Sequence, residues 1–328
     1  MTRILVIKFA ALGDFAQAFA PMEVIRKAHP TAEITLLTTP PYVRLAAASS
    51  LFDRIETDGR PRGPVEALRL IRRLRRARYA RVYDLQTSAS STRLWWALLP
   101  HPPEWSGIAR FGSHPQRRAD RDLMHNFDRM ADQLAVAGIA PFFADGAAPA
   151  ANLGFAVAAS LASARAAGFS SVGARFGLKA PFALIVPGAS ASRPEKLWPI
   201  DRYAGLARII EARGLGVGVL GGPEQAPLAA RIRVEAPAAR DLTSAQCGQA
   251  DFAGLGAEAV FVVGGDTGPV HMATYAGAGG VMLLSTRVSN PGHVGPRSPM
   301  RALAAPDLAD VPLADVVAAI EDLLPPPP

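Results

Sequence analysis

The sequence predicts an α/β protein made of two doubly wound, Rossmann-like halves. Short apolar runs alternate with helical patterns along the whole chain, which is typical of parallel sheets. The chain has 328 residues, more than the ~100–200 residues of a usual single domain. The Ala- and Pro-rich stretch around residues 140–150 has the composition of a linker. We therefore expect one domain over residues 1–150 and a second over residues 151–328.

Predicted strands and helices alternate through the first half. Pro30 ends the first helix, which begins just after a turn at Asp14. Strands are predicted over residues 3–8, 33–38, 52–56, 81–86 and 105–108. Helices are predicted over residues 15–29, 41–48 and 123–137. Two further helices are predicted, one in the arginine-rich segment that begins near Val65 and one that contains Trp95 and Leu98.

The second half repeats this pattern. Strands are predicted over residues 182–186, 215–220, 259–263 and 281–284. Helices are predicted over residues 201–212, from the turn at Glu224 to about residue 236, from Gly268 onward, and over residues 313–324. The terminal helix could pack back on the first domain. A Gly- and Pro-rich loop is expected over residues 289–299.

All of the excess positive charge lies in the first half. Residues 1–150 carry 21 basic and 14 acidic residues, whereas residues 151–328 carry 14 of each. Much of the excess belongs to one helix, for which Val65, Leu68, Ile71 and Leu74 are predicted as the inward face. Its arginines and those just after it are Arg69, Arg72, Arg73, Arg75, Arg76, Arg78 and Arg81. They form either a solvated face or a contact for an anionic partner, such as membrane headgroups or a phosphorylated acceptor.

Several classes of protein are excluded by composition. A single cysteine, Cys247, allows no internal disulfide and no cysteine-based metal cluster. Six scattered histidines show no HExxH-type spacing. No apolar run approaches the ~20 residues of a membrane span, and the start is too soon charged for a signal peptide. We expect a cytoplasmic protein with no nucleic-acid partner.

Residues 259–273 have the pattern of an anion site. An apolar run ends at Gly264 and Gly265 and is followed by Asp266, Thr267 and a helix that has proline in its first turn. Backbone N–H groups at the start of such a helix point at phosphate oxygens, and the Asp266 and Thr267 side chains could reach sugar hydroxyls. The alternative is an ordinary N-capped helix, because Asp and Thr are common caps.

Polar residues follow predicted strands in both halves, where ligands of doubly wound sheets bind. Asp14 follows the first strand of the first half; Ser190, Ser192, Lys196, Glu224 and Asp266 follow strands of the second. We therefore expect a site in a cleft between the two halves. Neither the G-x-G-x-x-G fingerprint nor a P-loop is present, which argues against NAD and against a P-loop NTPase.

Four motifs, in order, resemble the lipopolysaccharide heptosyltransferases of glycosyltransferase family 9. They are Ile4–Lys8 with Ala11–Asp14, Pro187–Ser190 with Arg193–Pro199, Leu220–Glu224, and Gly265–Ala273. The resemblance implies the two-domain GT-B fold, with an N-terminal acceptor domain and a C-terminal nucleotide-sugar domain. It also implies metal-independent, inverting transfer of heptose from ADP-heptose to the lipopolysaccharide core.

The resemblance also implies a role for each matching residue. Asp14 is expected to be the general base on the acceptor hydroxyl. Lys196 is expected to meet the donor diphosphate with Ser190 and Ser192 close by, and Glu224 to lie near the ribose. Asp266, Thr267 and Gly268 match the loop that holds diphosphate and sugar, and His271 lies beside it. This set is chemically consistent, because inversion needs one base, and a departing diphosphate needs positive charge when no metal is used.

The chain also departs from the family pattern. Residues 279–286 replace the usual apolar strand that ends in Phe-Gly, and residues 87–92 and 107–118, near an expected acceptor, match no particular member. The donor class is thus better defined than the acceptor or the transferred sugar. A nucleotide-sugar epimerase or hydrolase and a non-catalytic nucleotide-sugar-binding protein remain alternatives on the same scaffold.

Overall fold

The computed structural model describes residues 1–139, 150–188, 194–244, 246–297 and 300–326. Within them the chain forms two structural units, Met1–Ala151 and Asn152–Pro328. The predicted linker at residues 140–149 lies outside the described residues, as do Ser190 and Ser192.

The first unit is built on a parallel sheet of six strands among its described residues. The strands are β1 (Arg3–Ile7), β2 (Glu33–Leu37), β3 (Arg54–Glu56), β4 (Arg81–Asp84), β5 (Glu104–Gly107) and β6 (His114–Pro115), in the order β3-β2-β1-β4-β5-β6. The helices are α1 (Leu12–Ala28), α2 (Val43–Ala48), α3 (Pro64–Ala77), α4 (Ala89–Ala97) and α5 (Asn126–Val136). β1 pairs with β2 on one side and β4 on the other, so it lies at the centre of the sheet.

The second unit repeats this plan in the residues described. Its strands are β7 (Phe182–Val186), β8 (Gly216–Leu220), β9 (Arg240–Leu242), β10 (Val262–Gly265), β11 (Gly280–Ser285) and β12 (Met300–Ala305), in the order β12-β11-β10-β7-β8-β9. Its helices are α6 (Gly154–Ala166), α7 (Val172–Arg175), α8 (Ile200–Ala212), α9 (Ala226–Glu235), α10 (Gln249–Glu258), α11 (Gly268–Tyr275), α12 (Pro291–Val294) and α13 (Leu313–Ile320).

Both sheets have the same strand order when each is counted from its own first strand. In each, the chain moves outward on one side of the first strand and then returns to the other side, the 3-2-1-4-5-6 order of Rossmann-like sheets. The order reverses between β1 and β4 in the first unit and between β7 and β10 in the second. The predicted fold class of two doubly wound parallel sheets is confirmed.

Apolar residues from strands and helices form a core in each unit. In the first, Leu5, Val82 and Trp105 from the sheet pack with Leu70 and Leu74 of α3 and Trp95 of α4. In the second, the core includes Val263, Ile210 and Trp198, and the terminal helix α13 adds Val316 and Ile320 to it.

The inward face of α3 differs from the sequence prediction. Leu70 and Leu74 are buried, whereas Val65 and Leu68 are exposed. The predicted stripe of residues 65, 68, 71 and 74 is therefore wrong at its first two positions. Position 70 lies one turn before position 74 on the buried side, and Val65 is at the opposite side of the helix.

Candidate active site

Asp266 occupies the carboxyl end of β10, and both of its carboxylate oxygens have partners. Oδ2 accepts hydrogen bonds from Lys196 Nζ at 2.6 Å and from Ser289 Oγ at 2.7 Å. Oδ1 lies 2.8 Å from His271 Nε2. Although burial alone would raise the pKa of the Asp266 carboxyl, the His271 ring and the Lys196 ammonium hold it well below its usual range. The carboxylate therefore stays charged and fixes three neighbouring side chains.

Lys196 is held against the turn after β10 from a distant part of the chain. It ends a short 3₁₀ turn, Pro194–Lys196, that follows β7, and its ammonium also reaches the Asp266 carbonyl oxygen at 3.3 Å. An ammonium has three N–H donors, and the described residues supply two acceptors, both on Asp266, so within that part of the chain one donor remains for a ligand. The position suits an anionic group placed between β7 and β10.

His271 contacts Oδ1 of Asp266, whereas Lys196 contacts Oδ2, and it extends the polar contacts further. It is buried in the first turns of α11, and its Nδ1 lies 3.2 Å from the Tyr275 hydroxyl one turn later. The two rings stack with centroids 5.6 Å apart. Tyr275, His271, Asp266 and Lys196 thus form a continuous chain of polar contacts. The sequence placed His271 beside the site but gave no sign of Tyr275.

The start of α11 lacks a side-chain cap. Thr267 is the N-cap residue in an extended conformation, and its side chain accepts no hydrogen bond from the helix. Its Oγ1 is buried and, among the described residues, has no hydrogen-bond partner. The ordinary capped-helix alternative does not describe this arrangement, because the N–H groups of the first turn, beginning at Gly268, stay available to an anion.

Gly264 allows α11 to approach the sheet closely. A Cβ atom at this position would lie 2.7 Å from side-chain atoms of both Val186 and Val270, closer than real Cβ contacts. Any larger residue would push the helix start away from β7 and β10. The glycine before the site therefore sets the position of the α11 N-terminus relative to Lys196.

Glu224 lies at the end of a neighbouring strand. It belongs to the turn Pro223–Gln225 after β8 and its side chain is exposed. The Gly222 N–H donates to the Gln225 side chain at 2.8 Å, which stabilises this turn. Glu224, Lys196 and Asp266 thus all follow strand ends on one edge of the second sheet.

In the first unit, Asp14 is an exposed carboxylate in the first turn of α1. The helix begins at Leu12 with Ala11 as its N-cap residue, and no side chain caps it. The alternative in which Asp14 caps a helix beginning near Phe15 does not describe the structure, because Asp14 lies inside the helix. The residue borders a cavity of about 70 Å³ that is also lined by Lys8, Gln17, Gln86, Asn126 and Arg129.

Lys8 and Asp84 are buried beside this cavity, at the ends of β1 and β4. Burial lowers the pKa of the Lys8 ammonium, and the Arg129 charge lowers it further, while Asp14 and Asp84 oppose the shift. Burial raises the pKa of the Asp84 carboxyl to about 6, against the lowering effects of Ser91, the Thr87 and Gln86 N–H groups, and Lys8. The Lys8 ammonium donates to the Leu85 carbonyl at 3.3 Å.

Gln86 joins the end of β4 to the loop that carries Asp14. Its N–H and that of Thr87 donate to Asp84 Oδ1 at 3.1 and 3.0 Å. Its side-chain Oε1 accepts from the Phe9 N–H at 2.8 Å and the Ala10 N–H at 3.4 Å. The Asp84 carboxylate therefore orders a turn, and that turn holds the backbone just before α1.

A larger cavity of about 560 Å³ lies where α3 and α4 end, before the starts of β4 and β5. Its lining includes Arg75, Arg78 and His101 but none of the predicted site residues. Of the predicted residues that the structure describes, Asp14 follows β1 in the first unit, and Lys196, Glu224 and Asp266 follow β7, β8 and β10 in the second. Among the residues described, no group of three or more His, Cys, Asp or Glu side chains could hold a metal ion.

A match to a protein-family model shows the family to which this chain belongs. The model of glycosyltransferase family 9 (heptosyltransferase) matches residues 67–299, more than half of the chain. The chain belongs to glycosyltransferase family 9. It is a glycosyltransferase, and its two sheets are the GT-B architecture that the resemblance implied. No curated protein matches the sequence.

Solved structures of family 9 enzymes have the same fold. A family 9 glycosyltransferase from Veillonella parvula is 19% identical, with a TM-score of 0.77 over 98% of this chain and 97% of that one. Escherichia coli ADP-heptose LPS heptosyltransferase II is 19% identical, with a TM-score of 0.73 over 98% of both. E. coli heptosyltransferase WaaC with ADP is 17% identical, with a TM-score of 0.70 over 98% of this chain and 100% of that one.

Sequence reasoning missed the residues that support Asp14 in the first unit. Lys8, the pair Asp84 and Gln86, and Arg129 come from three separate segments, and only the fold brings them together. One signal was present, since the polar Asp84 and Gln86 end an apolar strand. In the 3-2-1-4-5-6 order, that strand must lie beside β1, which leads to Asp14.

Proposed function

We propose that this glycosyltransferase moves heptose from ADP-heptose to a lipopolysaccharide core acceptor, with inversion and without a metal. The observation that carries the proposal is the uncapped start of α11 beside the Lys196 ammonium. Positive charge and free N–H groups at one point suit a leaving diphosphate. The names of the two E. coli relatives, an ADP-heptose LPS heptosyltransferase and a heptosyltransferase with ADP, support the choice of donor.

In this proposal the second unit binds the donor. Lys196 and the first turn of α11 neutralise the diphosphate as the bond to the sugar breaks. Asp266 and His271 hold Lys196 in place, and the Thr267 hydroxyl, which has no partner among the described residues, would bind a phosphate or sugar oxygen. Glu224 binds the ribose, and Ser190 and Ser192 add hydroxyl donors to the diphosphate.

The first unit would supply the base and hold the acceptor. Asp14 takes the proton from the acceptor hydroxyl as that oxygen attacks the anomeric carbon opposite the leaving ADP. Its exposed position in an uncapped turn supports this role, because no protein hydrogen bond among the described residues competes for its oxygens. The cations Lys8 and Arg129 around it suit the anionic groups of a lipopolysaccharide core.

The place of action follows from the acceptor. Lipopolysaccharide core is attached to a lipid, so the enzyme would act in the cytoplasm at the face of the inner membrane. No helix in the described part of the chain is long and apolar enough to cross a bilayer. We propose a peripheral contact with that membrane because the proposed acceptor is anchored in it.

One experiment separates transfer from the two alternatives. The protein is incubated with ADP-heptose, with and without a truncated lipopolysaccharide acceptor, and released ADP and sugar products are measured in the presence of a chelator. The proposal expects ADP release and a heptosylated acceptor only when acceptor is present. ADP release or sugar isomerisation without acceptor would indicate a hydrolase or epimerase instead, and no turnover would indicate a binding protein.

A further inference from the structure

The outward side of α3 and α4 has an unusual composition. We call this surface the α3–α4 face and define it by Leu68, Arg69, Arg72 and Arg76 of α3 and Arg93 and Trp96 of α4. All six side chains are exposed. None of the transferase site residues belongs to it, so the proposed chemistry does not explain it.

In α3, the exposed and buried residues lie on opposite sides of the helix. Leu70 and Leu74 face the core, whereas positions 65, 69, 72 and 76 recur every three to four residues on the other side. Val65 and Leu68 on the exposed side are 60% and 46% accessible. The helix therefore presents apolar side chains and arginines together to the outside.

α4 lies next to α3 and adds aromatic surface. The Arg75 guanidinium of α3 donates to the Ala97 and Leu99 carbonyls at 2.8 and 3.0 Å, which joins the ends of the two helices. Trp96 is 51% exposed, and its ring lies 5.8 Å from that of Phe111, which is 61% exposed. The Arg110 guanidinium lies 5.6 Å from the Phe111 ring. Two large aromatic rings are thus held at the surface beside arginines.

The arginines of the α3–α4 face have no acidic partners among the described residues. Two acidic residues near α3, Glu56 and Asp58, form ion pairs with Arg73, which is not part of the face. Glu66, the acidic residue of α3, accepts from the Arg62 N–H at 2.7 Å. The described residues of the first unit therefore supply no acidic group that pairs with the arginines of the face.

We infer that the α3–α4 face rests on an anionic lipid bilayer. Indole rings favour the membrane interface, and arginine side chains extend their charged ends toward headgroups while their stems stay apolar. A purely solvated face would not require the exposed apolar side chains of Leu68 and Trp96 among its arginines, with Val65 and Phe111 exposed beside it. An acidic protein would meet the same charge, but the mixture of exposed Trp, Phe and Leu side chains with arginines fits a bilayer better.

This inference deepens the proposed function, because the acceptor proposed above is a membrane lipid. Its test does not depend on transfer. The protein is mixed with sedimenting vesicles made of equal parts phosphatidylglycerol and phosphatidylcholine, or of phosphatidylcholine alone. We expect binding to the anionic vesicles that weakens as salt is added, because salt screens exposed charges over ~8 Å at physiological ionic strength. Equal binding to both vesicles, or to neither, would overturn the inference.

A charge-removal variant localises the contact. Arg69→Ser/Arg72→Ser/Arg76→Ser should weaken vesicle partition on the order of 100-fold, because each arginine near an anionic surface contributes about fivefold. The matched control is Arg165→Ser/Arg208→Ser/Arg233→Ser, three exposed arginines of the second unit. The control should bind as the wild type does. Equal losses in the two triple variants would mean that net charge, and not this face, governs binding.

Trp96 gives a direct readout of the same contact. The chain has four tryptophans, and Trp95, Trp105 and Trp198 are each 5% exposed or less. Vesicles with brominated acyl chains should therefore quench part of the fluorescence, and Trp96→Phe should abolish that quenching while vesicle binding persists. Unquenched fluorescence from wild-type protein bound to brominated vesicles would contradict the proposed orientation. Donor-dependent activity on a water-soluble acceptor should be unchanged in the arginine variant, so failure of the transfer proposal remains distinguishable.

Discussion

Lys196 Nζ lies 2.6 Å from Asp266 Oδ2, although 70 residues separate the two in sequence. The pair spans the gap between β7 and β10, the point where the strand order of the second sheet reverses. Ligands of doubly wound sheets bind at that point. The ion pair therefore orients a cation where a diphosphate would lie, before any donor arrives.

Replacing Lys196 by alanine should lower turnover more than it weakens ADP binding. Negative charge grows on the diphosphate as the glycosidic bond breaks, so the ammonium acts mainly in the transition state. We expect turnover with ADP-heptose and acceptor to fall roughly 10²-fold, with a smaller change in ADP affinity measured by calorimetry. Lys179→Ala, which removes an exposed lysine of the same unit, is the control. Wild-type turnover in Lys196→Ala would contradict the role.

His271 should act by positioning Asp266 and Lys196. His271→Phe keeps a ring in the buried space but removes the 2.8 Å contact to Asp266. A hydrogen bond to a charged group contributes roughly 1.5–3 kcal/mol, so we expect turnover to fall about tenfold or more with little change in KM for the acceptor. Tyr275→Phe removes only the outer hydroxyl of the chain and should have a smaller effect. A larger loss of turnover in Tyr275→Phe than in His271→Phe would show that His271 does not position Asp266 and Lys196.

Asp14→Asn should abolish transfer while donor binding persists. Asparagine has nearly the same shape but cannot take a proton, so the rate should fall by the roughly 10²–10⁴-fold that general-base catalysis contributes. Product formation by chromatography and ADP-heptose affinity by calorimetry check the two parts. Glu23→Gln, which neutralises another carboxylate of α1, should be nearly silent. Asp14 makes no cap hydrogen bond, so loss of a cap cannot explain a fall in rate. Near-normal transfer by Asp14→Asn would contradict the assignment of Asp14 as the general base.

Gln86 should position the loop before Asp14. Gln86→Leu removes the acceptor for the Phe9 and Ala10 N–H groups, whereas Gln86→Glu retains Oε1. A misplaced reacting group can lower a rate by up to roughly 10²-fold. We therefore expect a lower turnover for Gln86→Leu, partial rescue in Gln86→Glu, and unchanged ADP-heptose affinity in both. Equal activity of both variants and the wild type would show that the loop holds its position without this side chain.

Asp84 should make stability depend on pH. Its pKa is raised from 3.8 in the unfolded chain to about 6 in the folded state, so the folded protein binds the proton more tightly. The stabilisation is complete below 3.8 and is lost as the pH rises through about 6. The difference in free energy of unfolding between wild type and Asp84→Asn should change by up to about 3 kcal/mol across this window.

Urea unfolding of both proteins over that pH range measures the effect. The wild type should lose stability relative to Asp84→Asn as the pH increases. Lys8, Asp14 and Arg129 face the same cavity and remain in both proteins, so their own titration largely cancels in the comparison. A constant difference over the whole window would show that Asp84 does not take up a proton in the folded state.

The sequence was sufficient to predict strands whose residue pattern matches their burial in the fold. The strands around Val6, Leu36, Ile185 and Val263 are continuous apolar runs, as strands covered on both faces must be, and their parallel order follows. Elements rich in Ala and Gly, such as α6 and α10, were not predicted, because small residues give little contrast between the two sides of a helix. The edge strand β9 has three residues and an exposed beginning, too little for a pattern.

The candidate site residues could be proposed from the sequence, but the side chains that contact them could not. Asp266, Lys196 and Asp14 follow strands and could be found from position alone. Their contacts could not, since the hydrogen bond from Phe9 to Gln86 joins residues 77 apart. The face of α3 was assigned to Val65 and Leu68 because apolar residues are expected inside, and there the expectation failed. Those two side chains are exposed beside arginines. From the sequence alone, an apolar residue that faces the core cannot be distinguished there from one that lies on the surface.

The identical strand order of the two sheets bears on how such enzymes can diversify. Each unit contains a complete sheet and its own apolar core, and the chain passes from one to the other near residue 151. A genetic crossover at that position would join intact sheets instead of cutting one. Half-genes from two related transferases could then be combined in a single event, and each half would keep a complete sheet and its own core.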